Sequence, residues 1–182
     1  MHHFILGGQR SGKSRFAERL GMKWLSDDAS HEVLVVATAL PGDREMQARI
    51  DRHRRDRPQG FETAEAPRDL GAVVRSQSAA HRLILVDCLT LWATNWLMPS
   101  DGRVDFAAWQ VARVDLLEAL AGSAGPVTCI SNEIGWGVIP MGREVRDFVD
   151  ELGRLNQEVV QRCQHVTLMA AGQPWTQEVQ RW

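Results

Sequence analysis

The chain has 182 residues, and 21 lysines and arginines against 23 aspartates and glutamates leave a formal net charge of −2. That length suffices for one domain, residues 1–182, with a core that needs no disulfide or metal staple. The near-balanced charge excludes a global basic field of the kind that binds nucleic acid or an anionic membrane.

Three widely spaced cysteines, Cys88, Cys129 and Cys163, form no CxxC or Cys/His metal spacing, so reduced thiols are expected. The N-terminal apolar run is too short for a signal peptide or a membrane span, which makes a cytoplasmic protein the expectation.

In chain order, "HFIL" (3–6) reads as the first strand. A helix over 14–25 follows, with Phe16, Leu20 and Trp24 four apart on one face. "EVLVVAT" (32–38) is a β-branched strand, apolar on both faces as a central parallel strand should be. The i,i+4 pairs Glu45–Arg49 and Asp51–Arg55 predict a helix over 43–57. "RLILVD" (82–87) is the third strand, with a helix starting near Leu89. Further elements are a helix over 106–122, a strand over 126–132, a helix over 143–163 and a fifth strand over 165–172. Strands alternating with helices predict a single α/β domain, a mostly parallel sheet with helices on both faces. Trp24 and Trp92, on helix faces, are expected to be buried.

Between the first strand and the first helix lies "GGQRSGKS": Gly7, Gly8, Gln9, Arg10, Ser11, Gly12, Lys13 and Ser14. This is the phosphate-loop pattern in its proper strand–loop–helix context, so the fold is that of a P-loop NTPase. Successive backbone N–H groups and the helix N-terminus make a concave anion site. Lys13 would reach the β- and γ-phosphates and the Ser14 hydroxyl would hold Mg²⁺. Asp87, closing the third strand, is the candidate second Mg²⁺ anchor; its alternative reading is a helix cap. No guanine-reading NKxD signature is present, and the chain is small for a RecA-like motor with nucleic-acid elements.

The segment "RIDRHRRDRP" (49–58) carries five arginines around His53. On a helix, Met46, Ile50, His53 and Arg57 share one stripe, with Arg49 and Arg57 a turn to either side of the histidine. Asp56 could hydrogen-bond one ring nitrogen and leave the other free. Flanking cations disfavour the imidazolium, and they would neutralise a phosphate under attack. A salt-bridged solvated helix, or a lid that clamps phosphates, fits the same residues.

The whole chain resembles the bifunctional adenosylcobinamide kinase / adenosylcobinamide-phosphate guanylyltransferase family of cobalamin biosynthesis. The likeness rests on "GGQRSGKSRFAE", "VATALPGDREMQARIDRHRRDRP", "ETAEAP", "LVDCLTLWATN", "SNEIGWGVIP", "REVRDFVDELGRLNQ" and "GQPW", in that order. It implies a RecA-like P-loop domain with two activities. An NTP, ATP or GTP, phosphorylates adenosylcobinamide; GTP then guanylylates a histidine, and GMP passes to adenosylcobinamide phosphate. By that likeness His53 is the guanylylated residue. Nucleotide contacts are implied in the P-loop, at Ala37, Thr38 and Ala39, at Arg54, Arg55, Asp56 and Arg57, and at Glu65 and Asp87. A homo-oligomer, a trimer, is also implied. The rival reading is a P-loop small-molecule kinase without nucleotidyl transfer. Arg52 stands where some relatives have a second histidine, and His165 where an acid is common. In "SNEIGWGVIP", Gly135 and Gly137 permit a tight loop at the sheet's carboxyl edge, which is either a structural turn or a ligand contact.

Overall fold

The structure is a computed structural model and describes residues 1–40, 55 and 57–181. The helix expected over 43–57 therefore lies outside the described residues, apart from Arg55 and Arg57. Seven strands, β1 (His3–Gly7), β2 (Glu32–Ala37), β3 (Phe61–Glu65), β4 (Arg82–Asp87), β5 (Val127–Ile130), β6 (His165–Ala170) and β7 (Gln173–Glu178), form one sheet. Their order is β3-β2-β4-β5-β1-β6-β7, parallel throughout except for the antiparallel β6–β7 pair. Five helices are described: α1 (Lys13–Asp27), α2 (Leu70–Gln77), α3 (Leu89–Leu97), α4 (Phe106–Ala121) and α5 (Arg143–Val160).

The period-2 alternation of the central strands splits the interior into two cores. Phe4, Leu34, Val36, Ile84, Val86, Val127 and Cys129 face α2, α3, α4 and α5. Ile5, Val33, Val35, Leu83, Leu85 and Ile130 face α1, where Ala17 is buried and Phe16, Leu20 and Leu25 pack at the margin. Helices thus cover both faces, as the alternating pattern predicts. The α5 stripe runs Phe148, Leu152, Leu155 and Val159, spaced four, three and four apart, with Asn156 the buried polar exception. Trp92 and Trp109 are fully buried on this side, their ring centroids 5.1 Å apart.

Two strands and one helix escape the sequence reading. β3 is an edge strand of mixed exposure, "FETAE", with none of the apolar continuity of its neighbours. β7, "QPWTQE", is exposed along its whole length. α2 spans only eight residues. Trp24 is half-buried, not buried: its indole N–H donates to the His81 carbonyl (3.2 Å) and its ring stacks on His31 at 3.7 Å. The amphipathic indole lies on the rim of the α1 core with its polar edge satisfied, a common compromise for this side chain. None of the described helices is long and apolar enough to cross a membrane.

Candidate active site at the carboxyl edge of the sheet

The register aligns the strand ends. Glu65 pairs with Ala37, Ala37 with Asp87, Asp87 with Ile130, and Ile130 with Ile5, two residues before Gly7. Neighbouring strands are about 4.8 Å apart, so Glu65 and Asp87, two strands apart, flank a gap of about 10 Å. In parallel α/β sheets ligands bind outside this edge. The phosphate loop, the "ATA" turn, Glu65 and Asp87 all belong to it.

The loop 7–14 is shaped for an anion. Gly12, at φ +99°, caps α1 and has no side chain of its own to satisfy the helix N-terminus, where a phosphate would sit. A Cβ at Gly7 would lie 2.4 Å from the Met169 carbonyl oxygen and 2.8 Å from Ser11 Oγ, so only glycine fits this crossing. Ser11 Oγ is buried and has no partner among the described residues, an orphaned polar atom inside the loop. Lys13 is buried, and its ammonium donates to the Gly7 (3.0 Å) and Gly8 (2.7 Å) carbonyls, folded back along the loop that a phosphate would enter. Gly8, Gln9 and Arg10 form the exposed crest, with Arg10 at φ +56°.

The loop is braced from the far end of the chain. Gly172 N–H donates to the Ser11 carbonyl (3.0 Å), and its Cα lies 3.4 Å from where a Gly12 Cβ would stand. Ala171 and Gly172, both with positive φ, make the two-residue turn between β6 and β7.

Ser14, Glu18, Asp87 and Arg57 line one narrow cleft over Leu85 and Ile130. A hydroxyl and a carboxylate converging beside a phosphate loop are the donor set Mg²⁺ takes in P-loop enzymes, where waters and substrate phosphates complete the octahedron. The residues present therefore fit Mg²⁺. Among the described residues, no cluster of three or more His, Cys, Asp or Glu offers an all-protein metal cage.

Thr38 has a structural duty. Its fully buried hydroxyl donates to the Cys88 carbonyl (2.7 Å) and accepts from the Cys88 N–H (2.9 Å). Its own N–H donates to the Asp87 carbonyl (3.2 Å), and its carbonyl accepts from Asn95 Nδ2 (2.7 Å). Thr38 thus ties the end of β2 to the turn that carries Asp87. Burial, and then the Asp87 carboxylate, push the Cys88 thiol up to about 11, which removes it as a nucleophile at neutral pH.

Ala37 and Ala39 are partly exposed on either side of Thr38, and Glu65 is exposed at the end of β3. The Arg57 guanidinium donates to Thr63 Oγ1 in β3, which brings it to the same rim; Arg55 is exposed. His53, Arg54 and Asp56 lie outside the described residues.

Sequence reasoning missed the polar scaffold beneath these groups. Asn95 bridges the Thr38 and Pro67 carbonyls (2.7 and 2.8 Å), and Thr90 Oγ1 accepts from Asn132 N–H (2.8 Å). Asn156 Nδ2 reaches the Asn132 carbonyl (3.3 Å) from α5. The signal was present: Asn95 interrupts the apolar helix "LTLWATNWL", and Asn156 interrupts the α5 stripe. Buried polar groups demand partners, so each interruption marks a tie.

Comparison with known proteins identifies the family. The family described as "Cobinamide kinase / cobinamide phosphate guanyltransferase" matches residues 3–177. The bifunctional adenosylcobalamin biosynthesis protein CobP of Pseudomonas aeruginosa is 46% identical over 175 residues, covering 96% of this chain and 95% of its own. The bifunctional adenosylcobalamin biosynthesis proteins CobU of Salmonella typhimurium and Escherichia coli are 34% and 33% identical, each over 92% of this chain and 94% of their own. With its phosphate loop, parallel sheet and near-complete match, the chain belongs to the cobinamide kinase / cobinamide phosphate guanyltransferase family.

Proposed function

We propose that this enzyme phosphorylates adenosylcobinamide with ATP or GTP and then transfers GMP from GTP to adenosylcobinamide phosphate, giving adenosylcobinamide-GDP and pyrophosphate. The observation that carries the reading is the convergence of the phosphate loop, Asp87, Glu65 and Arg57 on one strand edge, in a chain of this family. Residues 7–14 would hold the triphosphate through backbone N–H groups, with Lys13 leaving the Gly7 and Gly8 carbonyls to meet it. Ser14 and Asp87 would hold Mg²⁺, which when bound neutralises charge on the transferring phosphate. Ala37, Ala39, Arg54, Arg55, Asp56, Arg57 and Glu65 would flank the nucleotide, while Thr38 would fix the turn beneath it.

His53 would be the covalent carrier. A neutral ring nitrogen attacks the α-phosphorus of GTP, an N–P bond forms, and the bond to pyrophosphate breaks. A phosphate oxygen of adenosylcobinamide phosphate then attacks the same phosphorus and releases the imidazole. Each displacement is helped by the guanidinium groups around it. The enzyme would work in the cytoplasm as a homo-oligomer, a trimer, with no nucleic-acid partner.

The test is incubation with [α-³²P]GTP. Acid-labile, alkali-stable label on the protein, lost in His53→Ala while kinase turnover survives, is the expected result. Absence of label under turnover, or equal loss of both activities in folded His53→Ala, refutes the covalent route and leaves a plain P-loop kinase.

A further inference from the structure

The loop between β5 and α5 is held firmly at both ends and bare in the middle. At its root, Glu133 N–H donates to the Gly7 carbonyl (3.2 Å), so the loop springs directly from the phosphate loop. Asn132 is tied there too, through Thr90 and Asn156. At its far end, the Arg146 guanidinium donates to the Pro140 (2.9 Å) and Met141 (2.5 Å) carbonyls. Between these ties Trp136, Val138, Ile139 and Met141 are 75, 95, 79 and 98% exposed. Contiguous bare apolar side chains mark a surface that something covers.

Past Gly142 the chain enters α5, whose Glu144, Asp147 and Phe148 wall a cavity of about 300 Å³ opposite Leu97, Val104 and Phe106. Its floor is apolar, and its rim carries two carboxylates, with the Arg143 guanidinium 3.6 Å from Asp147. Donor and acceptor thus stand side by side, an arrangement that suits neutral amides better than a simple ion.

We infer that the apolar loop 134–141 and the adjoining α5 cavity are the corrinoid seat of this enzyme. This rests on the function proposed above. A corrin is a broad apolar disc rimmed with carboxamides. Its face would lie on Trp136, Val138 and Ile139, and rim amides would enter the cavity, donating to Glu144 and Asp147. Because the loop root is bonded to Gly7, a disc seated there presents its aminopropanol arm to the phosphate loop, where the phosphoryl group is transferred. The seat and the nucleotide site share the β5–β1 edge but use separate side chains.

The double variant Trp136→Ala/Ile139→Ser tests the seat. Cobinamide titration, followed by quenching of tryptophan fluorescence in single variant Ile139→Ser and by equilibrium dialysis in the double variant, should show affinity weakened about ten-fold or more. The KM for adenosylcobinamide should rise in step. Labelling of the same variant by [α-³²P]GTP should keep the wild-type rate, because GTP does not touch the loop. Corrinoid affinity within roughly two-fold of wild type, or a changed sedimentation coefficient of the free variant, which would make the loop a contact between copies, overturns the inference. A wild-type protein that neither binds nor turns over any corrinoid overturns the functional reading along with it.

Discussion

Thr38→Val is the sharpest test of how the site is built. Valine keeps the shape and the burial but deletes the hydroxyl, which serves both polar groups of Cys88 at 2.7 and 2.9 Å. Thr38 is fully buried and Cys88 is 8% exposed, so water cannot replace the lost partner without opening the core. The Cys88 carbonyl still accepts from the Trp92 N–H (3.1 Å), so the Cys88 N–H is the group left stranded, at a cost of about 1–3 kcal/mol. For a chain of this size that lowers Tm by roughly 2–12 °C. Because Asp87 immediately precedes Cys88, GTP affinity should fall as the turn loosens. Thr38→Ser, which retains the hydroxyl, should recover most of both losses. Differential scanning calorimetry and GTP titration of the two variants decide the matter. A Thr38→Val protein with unaltered Tm and a large loss of GTP affinity would refute the bracing argument and return Thr38 to direct nucleotide contact.

Two further outcomes follow from the same geometry. Asp87→Asn should shift the Mg²⁺ dependence of kinase turnover to higher concentration and lower the saturated rate about a hundred-fold, as loss of a group aimed at transition-state charge does; an unchanged Mg²⁺ titration would leave Asp87 as a helix cap. The buried thiols set an alkaline limit. From an ordinary value of 9.0, burial pushes Cys163 up to about 12, and burial followed by Asp87 pushes Cys88 up to about 11, so the fold favours the neutral thiol. That stabilisation is complete below pH 9 and is lost as pH rises toward 11 and 12, because the unfolded chain ionises first. Urea midpoints measured from pH 8 to 11 should therefore decline, less steeply in Cys88→Ala, while the native thiols resist a disulfide reagent at pH 8.

The parts of the fold legible in the sequence are those where a single physical demand dominates. The central strands are buried on both faces and advertise themselves as continuous aliphatic runs, and the phosphate loop is constrained glycine by glycine. The edge strands carry no such demand. β3 and β7 gain their conformation from pairing with β2 and β6, a long-range contact that leaves little trace in "FETAE" or "QPWTQE". The site divides along the same line. Gly7, Gly12, Lys13 and Asp87 follow from motif and position, whereas the bracing by Thr38, Asn95 and Thr90 depends on which residues meet across the fold. Trp24 is less buried than its spacing predicts because helical spacing identifies a face but not how far that face is covered. The reading of His53 came from family likeness, since an arginine-rich helix has too many ordinary uses for spacing alone to choose.

The turn at Ala171 and Gly172 gives the molecule a particular order of assembly. The loop proposed to grip phosphate follows β1, yet the N–H that secures Ser11 and the strand β6 that flanks β1 are made only after β5 and α5. During synthesis the loop over 7–14 must wait, shaped only in part, until Gly172 has been made. Nucleotide therefore cannot template early folding; it can reward only a polypeptide made as far as the β6–β7 turn, and loss of that hairpin should silence the loop over 7–14 first.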